Sequence, residues 1–410
     1  MPEVDRINID LINIVKLLEW AQAWLMDTSE TTQELVAPPG LKGLVVADTT
    51  IGSVRGAEGF YHYRRYDAVE IARHQTFEAA ARLLIDGELP IGAEEALFRA
   101  ELGAGRRLEP GTLAVVRQLA DRISSPLTGL TAAIPLVVDD TPTIDLDHGQ
   151  RRARCLAVAA AVPSILAALH RHRNGDDPLD ADPGLGHAAD FIRMATGSTP
   201  TPRLARAVET YLVLTADHGF NASTFTTRVI TSTGAGVASA LAGAVGALSG
   251  PLHGGAPSRV LDMLEEIGDP VNTERWARAT LAAGRPIMGF GHAVYRADDP
   301  RSTLLKEVAS GLGGDLVARA IDIEARMLAV LAEHKPQSTI VTNVEYYAAV
   351  VLHLAGLPQP MFTPAFTTSR VVGWVAHLLE QAANNKIMRP LARYVGPEPS
   401  WAGAEPVAAR

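Results

Sequence analysis

The chain has only one cysteine, Cys155, in 410 residues, so no disulfide can form within it. This excludes a disulfide-stabilised secreted domain and fits a reducing compartment. Basic residues are also scarce, because 37 Lys and Arg stand against 46 Asp and Glu, which gives a net charge of -9. No basic stretch dominates. We therefore expect no nucleic-acid partner and no membrane partner, and we predict a cytoplasmic protein.

Long uncharged apolar runs are absent as well. The stretch 7–26 carries Asp10, Lys16 and Glu19 and lacks a small-residue cleavage site, so we expect no signal peptide. The most apolar later run, Cys155–Leu169, is short and interrupted by a proline. These properties favour a buried helix over a membrane span.

Metal-ligand patterns are weak. Asp145, Asp147 and His148 form one cluster and His170 and His172 another, but no cysteine supports either cluster. Neither has a ligand spacing typical of a metal site. We interpret both as solvated loops or helix ends, and we expect no bound metal.

The composition predicts a large, mainly α-helical protein. With 47% hydrophobic residues, the chain can form a large core, and we expect two domains. Apolar residues recur at helical spacing in the stretches 77–84, 113–119 and 204–212. Loops rich in Asp, Pro and Gly are predicted at 139–150 and 174–186.

The N-terminal part has a different pattern. Residues 1–38 predict a helical extension that ends at the linker Pro38-Pro39-Gly40. Two β-prone runs, Gly43–Val46 and Phe60–Arg64, flank a glycine-rich turn region. This arrangement predicts a small hairpin.

One histidine lies between two helix signals. The small apolar residues 234–248 predict a buried helix, which Gly250-Pro251 ends. A second helix begins near Pro257, so His253 and the N–H groups of the two glycines after it are expected at a positive helix end. A neutral imidazole there can donate a hydrogen bond to an oxygen that becomes negative, as when an enolate forms. A capping or core histidine is the alternative.

A dinucleotide-binding motif is a rival hypothesis for the same region. Residues 225–231 could form a strand, and Gly234-Ala235-Gly236 follows it, as at the start of a dinucleotide fingerprint. The third glycine is missing, and so is a second strand with a ribose-binding acid. We therefore expect no nicotinamide cofactor.

Four further stretches combine unusual residues. In the first, His292 follows two glycines, Gly289 and Gly291, whose bare backbone lets a ligand approach closely. In the second, Glu345 lies among apolar and aromatic residues, where burial raises the pKa of a carboxyl towards that of a useful base. In the third and the fourth, an arginine occupies apolar surroundings that call for an anionic partner: Arg370 and Arg389. Taken singly, each residue also has an ordinary structural explanation.

Taken together and in this order, the stretches resemble the citrate synthase family from about residue 40 to residue 397. The motifs that carry the resemblance are Gly40–Gly43, Tyr63–Asp67, Ala216–His218, Asn221–Phe225, His253–Ala256, Gly289–His292 and Tyr394–Pro397. The resemblance implies a mainly α-helical homodimer with a citrate synthase-like fold. It also implies a large domain, 39–256 with 363–410, and a small domain, 257–362, that closes over the substrates.

The resemblance further implies a role for each residue at a matching position. His253 would bond the acetyl-CoA thioester oxygen, His292 would polarise the oxaloacetate ketone, and Glu345 would be the catalytic base. The other matches are the oxaloacetate ligands His218, Arg301 and Arg370, the partner-supplied Arg389, the coenzyme A contacts Arg296, Gly289 and Gly291, and the orienting residues Asn221 and Ser223.

Two positions depart from the family pattern. The base is usually aspartate where this chain has Glu345, and Gly219 stands where glutamate is frequent. The extra methylene of Glu345 moves the carboxylate by about 1 Å on an unchanged backbone, a shift that can lower a rate about a hundredfold.

We predict a citrate synthase that needs no metal or redox cofactor. One alternative is a 2-methylcitrate synthase acting on propionyl-CoA, because one methyl group changes pocket preference by only about 1–3 kcal/mol. The other alternative is a citrate synthase-like binding protein without turnover.

Overall fold

Helices dominate the part of the chain that the structure, a computed structural model, describes: residues 35–397 except 252, 254, 255 and 293. The mainly α-helical fold class is confirmed. Most of the extension predicted over residues 1–38, including its helix, lies outside the described residues. The linker at Pro38 leads into one 3₁₀ turn, Pro39–Leu41.

Sixteen helices occur in the described residues. In chain order they are α1 (Ala68–His74), α2 (Phe77–Asp86), α3 (Glu94–Gly105), α4 (Pro110–Arg122), α5 (Pro126–Ala133), α6 (His148–Arg173), α7 (His187–Thr196), α8 (Pro202–Thr215), α9 (Ala222–Ser232), α10 (Val237–Leu248), α11 (Ala256–Ile267), α12 (Thr273–Ala282), α13 (Pro300–Leu312), α14 (Asp315–His334), α15 (Val344–Leu354) and α16 (Phe362–Ala383). The three stretches with helical spacing fall in α2, α4 and α8, as predicted.

The hairpin exists, but one of its two predicted arms is wrong. β1 (Gly52–Arg55) pairs antiparallel with β2 (Phe60–Tyr63), and β3 (Tyr66–Asp67) completes a sheet in the order β1-β2-β3. The other predicted arm, Gly43–Val46, is not a strand. Pairing from Gly52 to Arg55 leaves only residues 56–59 to join the arms, a length typical of hairpin loops.

The longest helix, α6, is a core helix. It is long and apolar enough to cross a membrane, but 78% of its most apolar window is buried within the protein, a pattern that core helices also show. Cys155 lies in this helix and is fully buried. The prediction of a buried helix over Cys155–Leu169 is confirmed.

Two predicted boundaries and the rival strand need correction. α6 begins at His148, inside the loop predicted over 139–150, because Asp147 and Gln150 form a capping box. α10 begins at Val237, three residues after the predicted start, since Gly234 has a positive φ of 82°. Residues 225–231 lie within α9, so the strand that the dinucleotide hypothesis needs is not formed.

The sheet and the packing of α16 and α15 against their neighbours position the residues of the site. Tyr61 and Tyr63 of β2 donate their hydroxyl hydrogen bonds to the carbonyls of Leu214 and Val213, at 3.0 and 2.7 Å, where α8 ends. α16 packs against α6, α8 and α9. α13 packs against α15, and α15 also contacts α11. The ends of α8, α9, α13 and α15 carry the side chains described next.

Candidate active site

His253 and Glu345 line the same pocket. The other residues that line this pocket are Tyr211, Thr215, Val344, Ala348 and Phe366. Most of these side chains are apolar, so the pocket offers the carboxylate little solvation. Sequence segments that are far apart in the chain therefore bring a histidine and an acid to one enclosed space.

Glu345 is held at the start of α15. Asn343 caps this helix, and its Oδ1 accepts the backbone N–H of Glu345 at 3.1 Å. Burial raises the pKa of Glu345 to about 7, although the nearby charge of Arg301 opposes the rise. The raised pKa that the sequence predicts is confirmed. A carboxyl group with a pKa near the working pH is well suited to act as a general base.

His253 is oriented by a network of buried polar groups. Its Nε2 accepts the backbone N–H of Ser223 at 3.3 Å and lies 2.8 Å from Ser223 Oγ. That hydroxyl also lies 2.8 Å from Asn221 Oδ1 and accepts the indole N–H of Trp374 at 3.0 Å. Burial and the charge of Arg370 lower the pKa of His253. The ring is therefore neutral, and its proton lies on Nδ1 because Nε2 is an acceptor.

The helix after His253 is present. α11 begins at Ala256, close to the predicted start at Pro257. The backbone N–H groups of Gly254 and Gly255, which were expected beside His253, lie outside the described residues.

His292 has the opposite arrangement. Its Nδ1 accepts the backbone N–H groups of Val294 and Tyr295 at 2.9 and 3.1 Å, so the proton of the neutral ring lies on Nε2. Burial and then Arg301 lower the pKa of His292 to about 4. Nε2 is 3.2 Å from Nη2 of Arg301. Arg301 can only donate, and Nδ1 already accepts two N–H groups, so Nε2–H and the guanidinium meet donor to donor, a contact that an electron-rich oxygen bound between them would relieve.

Arg301 is fixed by Asp299. The guanidinium donates to both carboxylate oxygens, Nε to Oδ1 at 2.9 Å and Nη2 to Oδ2 at 2.8 Å. Asp299 also caps α13 and accepts the backbone N–H of Val344 at 3.1 Å. Burial alone would lower the pKa of Arg301, but Asp299 raises it overall, so the arginine stays charged. One carboxylate thus connects Arg301 to the start of the helix that carries Glu345.

His218 joins the same cluster of rings. Its Nε2 is 3.0 Å from the hydroxyl of Tyr295, and its ring meets that of His292 edge-on with centroids 5.7 Å apart. Burial, reinforced by Arg301 and Arg370, holds the pKa of His218 well below its usual range. His218 is therefore a neutral hydrogen-bonding group.

Arg370 is a buried cation on α16. Its Nε donates to the carbonyl of Thr215 at 2.8 Å, and its guanidinium lies 4.5 Å from the centroid of the Phe366 ring. Burial lowers the pKa of Arg370, while the charge of Asp217 opposes this. Because both Thr215 and Phe366 line the pocket, the structure brings Arg370 to its edge.

The backbone conformation before His292 explains why two glycines occur there. Gly289 and Gly291 both have φ of +81°, which L-residues rarely adopt. A Cβ at Gly289 would also lie 2.9 Å from Tyr346 Cδ2. Arg296 is exposed beside this loop, where its Nη1 donates to the carbonyls of Tyr295 and His292.

The departure at Gly219 also has a physical explanation. Gly219 has a φ of +63°, and an added Cβ would lie 3.2 Å from Val54 of β1. A glutamate could not take this backbone conformation without strain.

Arg389 does not line the pocket of its own chain. It is exposed in the segment after α16. The backbone N–H of Met388 donates to Ser232 Oγ at 3.0 Å, and the side-chain amide of Asn385 donates to the Ser232 carbonyl at 3.1 Å. These bonds fix the segment to the end of α9. Whether Arg389 reaches a partner's pocket stays a prediction.

Several groups that build the cluster were missed from the sequence: Tyr295, Trp374 and the carboxylate of Asp299. Only Asp299 had a readable signal, since Asp before Pro is a typical helix cap. Among the described residues, no group of three or more His, Cys, Asp or Glu side chains could hold a metal ion.

The chain is similar to known proteins over most of its length. The family model "Citrate synthase, C-terminal domain" matches residues 40–391. A citrate synthase of Haloferax volcanii is 37% identical over 365 residues, covering 87% of this chain and 95% of that protein. A 2-methylcitrate synthase of Mycobacterium tuberculosis is 39% identical over 360 residues, covering 88% and 90%.

Solved structures share the fold. A citrate synthase from Thermotoga maritima superposes with a TM-score of 0.79 at 33% identity, covering 90% of this chain and 98% of that chain. The Thermoplasma acidophilum citrate synthase, solved as a ternary complex with carboxymethyl coenzyme A and oxaloacetate, has a TM-score of 0.82 at 27% identity and the same coverage.

Proposed function

Since this chain belongs to the citrate synthase family, an enzyme family of the condensing type, we propose that it joins acetyl-CoA to oxaloacetate and, with water, releases citrate and CoA. One observation carries the proposal: an ionisable carboxyl, Glu345, and a neutral histidine, His253, share one apolar pocket. A weakly acidic methyl group needs both a base and a donor to the oxygen that becomes negative.

In the proposed first step, Glu345 removes a proton from the acyl methyl group. The C–H electron pair forms the carbon–carbon double bond of the enolate, and the carbonyl pair moves to the thioester oxygen. The Nδ1–H of His253 donates a hydrogen bond to that oxygen. The apolar lining strengthens this hydrogen bond, because little water competes for it.

In the proposed second step, the enolate carbon attacks the ketone carbon of oxaloacetate, and the carbonyl pair moves to the ketone oxygen. That oxygen takes up one proton, which balances the proton that Glu345 removed. His292 Nε2–H and the guanidinium of Arg301 face the ketone oxygen, while His218 and Arg370 bind the dicarboxylate. Water then cleaves the thioester, so the acyl carbon becomes a carboxylate and CoA leaves as the thiol. The CoA thioester is a substrate, and the proposed steps use no metal or redox cofactor.

The wider setting of the site is also a proposal. We place a small domain at 257–362 that closes on the large domain and keeps water out during condensation. In a homodimer, Arg389 would enter the partner's pocket, and Arg296, with the backbone at Gly289 and Gly291, would bind coenzyme A. We assign this acyltransferase reaction to the tricarboxylic acid cycle, and we place the protein in the cytoplasm.

A second candidate is 2-methylcitrate synthesis from propionyl-CoA. Two observations favour it: a 2-methylcitrate synthase relative is as similar to this chain as the citrate synthases are, and the small side chain of Ala348 lines the pocket beside Glu345. An alanine at this wall leaves room for an extra methyl group on the acyl chain.

A thiol-release assay with oxaloacetate tests these functions. Faster turnover of acetyl-CoA supports citrate synthesis, and faster turnover of propionyl-CoA supports 2-methylcitrate synthesis. Thiol release from neither, although oxaloacetate binds, would leave a binding protein. Ala348→Val should lower propionyl-CoA turnover about tenfold relative to acetyl-CoA. Ala349→Val, at an equally buried position that does not line the pocket, is the control.

A further inference from the structure

Tyr211 carries a buried hydroxyl that has no hydrogen-bond partner among the described residues. Its side chain is 1% exposed and lines the pocket that holds His253 and Glu345. A buried donor without an acceptor lowers stability by about 1–3 kcal/mol. Tyr211 therefore holds a donor ready in a place where a ligand could supply the acceptor.

Other buried tyrosines of this chain are satisfied. Tyr61 and Tyr63 donate to carbonyls at the end of α8, and Tyr346 donates to the carbonyl of Ala320 at 2.7 Å. Tyr347 donates to a carboxylate oxygen of Glu324 at 2.5 Å. The unpartnered hydroxyl is therefore specific to the tyrosine in the pocket.

The hydroxyl of Tyr211 is a permanent donor. Burial, and then the carboxylate of Glu345, raise the pKa of Tyr211, so the phenol stays protonated throughout the physiological range. It can donate a hydrogen bond to a negative oxygen without giving up its proton.

We infer that the Tyr211 hydroxyl is a second donor, together with His253 Nδ1–H, to the acyl oxygen that becomes negative. This role rests on the proposed function. As Glu345 takes the methyl proton, negative charge leaves the carboxylate and collects on the thioester oxygen. A donor that is already in the pocket stabilises that charge without having to reorganise, and both donors keep their protons.

The variant Tyr211→Phe removes the hydroxyl and keeps the ring. We expect kcat for acetyl-CoA to fall about 10²-fold, as for the loss of one oxyanion donor, with the KM for oxaloacetate little changed. The melting temperature should not fall, since no hydrogen bond within the protein is lost. The matched control Tyr346→Phe loses a bonded hydroxyl at an equally buried position, so it should lower the melting temperature and leave kcat within a few-fold.

A binding measurement separates this role from the proposed function. Carboxymethyl-CoA carries a carboxymethyl group on the CoA sulfur, and the charged carboxylate of this group mimics the enolate. In calorimetry with oxaloacetate present, carboxymethyl-CoA should bind Tyr211→Phe at least about tenfold more weakly than it binds the wild type. This result is expected even if the wild type shows no turnover. Equal binding would overturn the role of Tyr211. So would a kcat within threefold of wild type, or a shift of the pH profile alone, which would mean that the hydroxyl serves Glu345. Absence of wild-type turnover would reject only the proposed function.

Discussion

Two histidines of the site, His253 in the pocket and His292 beside Arg301, are both neutral, yet they are protonated on opposite nitrogens. The Nδ1 of His292 accepts two N–H groups of residues that follow it at once, Val294 and Tyr295. The Nε2 of His253 accepts the N–H of Ser223, on a different helix, and depends on the indole of Trp374 from a third segment. One donor is set by a local loop, and the other is set by tertiary packing. The two should therefore respond differently to substitution.

The largest expected effect separates their tasks. In Glu345→Gln the amide keeps the shape of the side chain but cannot take a proton, so turnover should fall roughly 10²–10⁴-fold. We assign oxaloacetate binding to the residues around His292, so the affinity for oxaloacetate should change little. Calorimetry can measure this affinity. Near-normal turnover in this variant would remove Glu345 from the mechanism.

A subunit-mixing experiment tests the proposal that Arg389 acts in the pocket of a partner chain while His253 acts in its own. Arg389→Ala homodimers should bind oxaloacetate at least tenfold more weakly, because a desolvated carboxylate loses a partner worth about 2–5 kcal/mol. His253→Ala homodimers should fail for lack of the donor to the enol.

With Arg389 acting across the interface, as proposed, mixed dimers would have both defects in one site and leave the other site complete. They should approach half of the wild-type activity. If subunit exchange is verified by mass and activity never exceeds the sum of the two parents, Arg389 does not act across an interface.

Of the two groups Glu345 and His292, the pH profile should report only Glu345. Turnover requires the ionised form of Glu345, whose pKa is about 7, so kcat/KM should fall as the pH drops through 7. His292, with a pKa of about 4, stays a neutral donor over that range. A midpoint close to 4 in the measured profile would argue against the raised pKa of Glu345.

The smallest effect concerns the packing that orients His253. Trp374→Phe removes the indole N–H from Ser223, and we expect kcat to fall about fivefold, the equivalent of one hydrogen bond of about 1 kcal/mol. The KM for oxaloacetate should not change, since the network of His292 is untouched. In a Ser223→Ala background the same substitution should have no further effect on kcat. Additive losses would show that Trp374 acts through packing alone.

The same contrast explains what the sequence can predict. The motif around His292 is contiguous, and its two glycines have the positive φ that such a loop needs. By contrast, the bond between Trp374 and Ser223 joins α16 to α9, and no local pattern indicates it. Asp299 likewise pairs with Arg301, caps α13 and accepts the N–H of Val344. This combination depends on how α13 and α15 pack.

The hairpin shows the same limit. Gly43–Val46 has strand-like residues, yet β2 pairs with Gly52–Arg55 because a short loop sets the register. The capping box of α6 was present in the sequence as Asp147 and Gln150, and it should have moved the predicted loop end to Asp147. Local sequence signals therefore predict the positions of the helices, whereas strand pairing depends on the loop that connects the two arms.

The single cysteine has a practical consequence for these experiments. Cys155 lies fully within α6, and burial raises the pKa of its thiol, so it is a poor nucleophile towards thiol reagents in the native protein. A thiol reagent can then measure released CoA with little background reaction from the protein. A cysteine introduced in place of the exposed Leu97 of α3, away from the pocket and from the segment that carries Arg389, would also accept a fluorophore selectively. Subunit exchange could be followed optically in the same sample that is assayed for turnover.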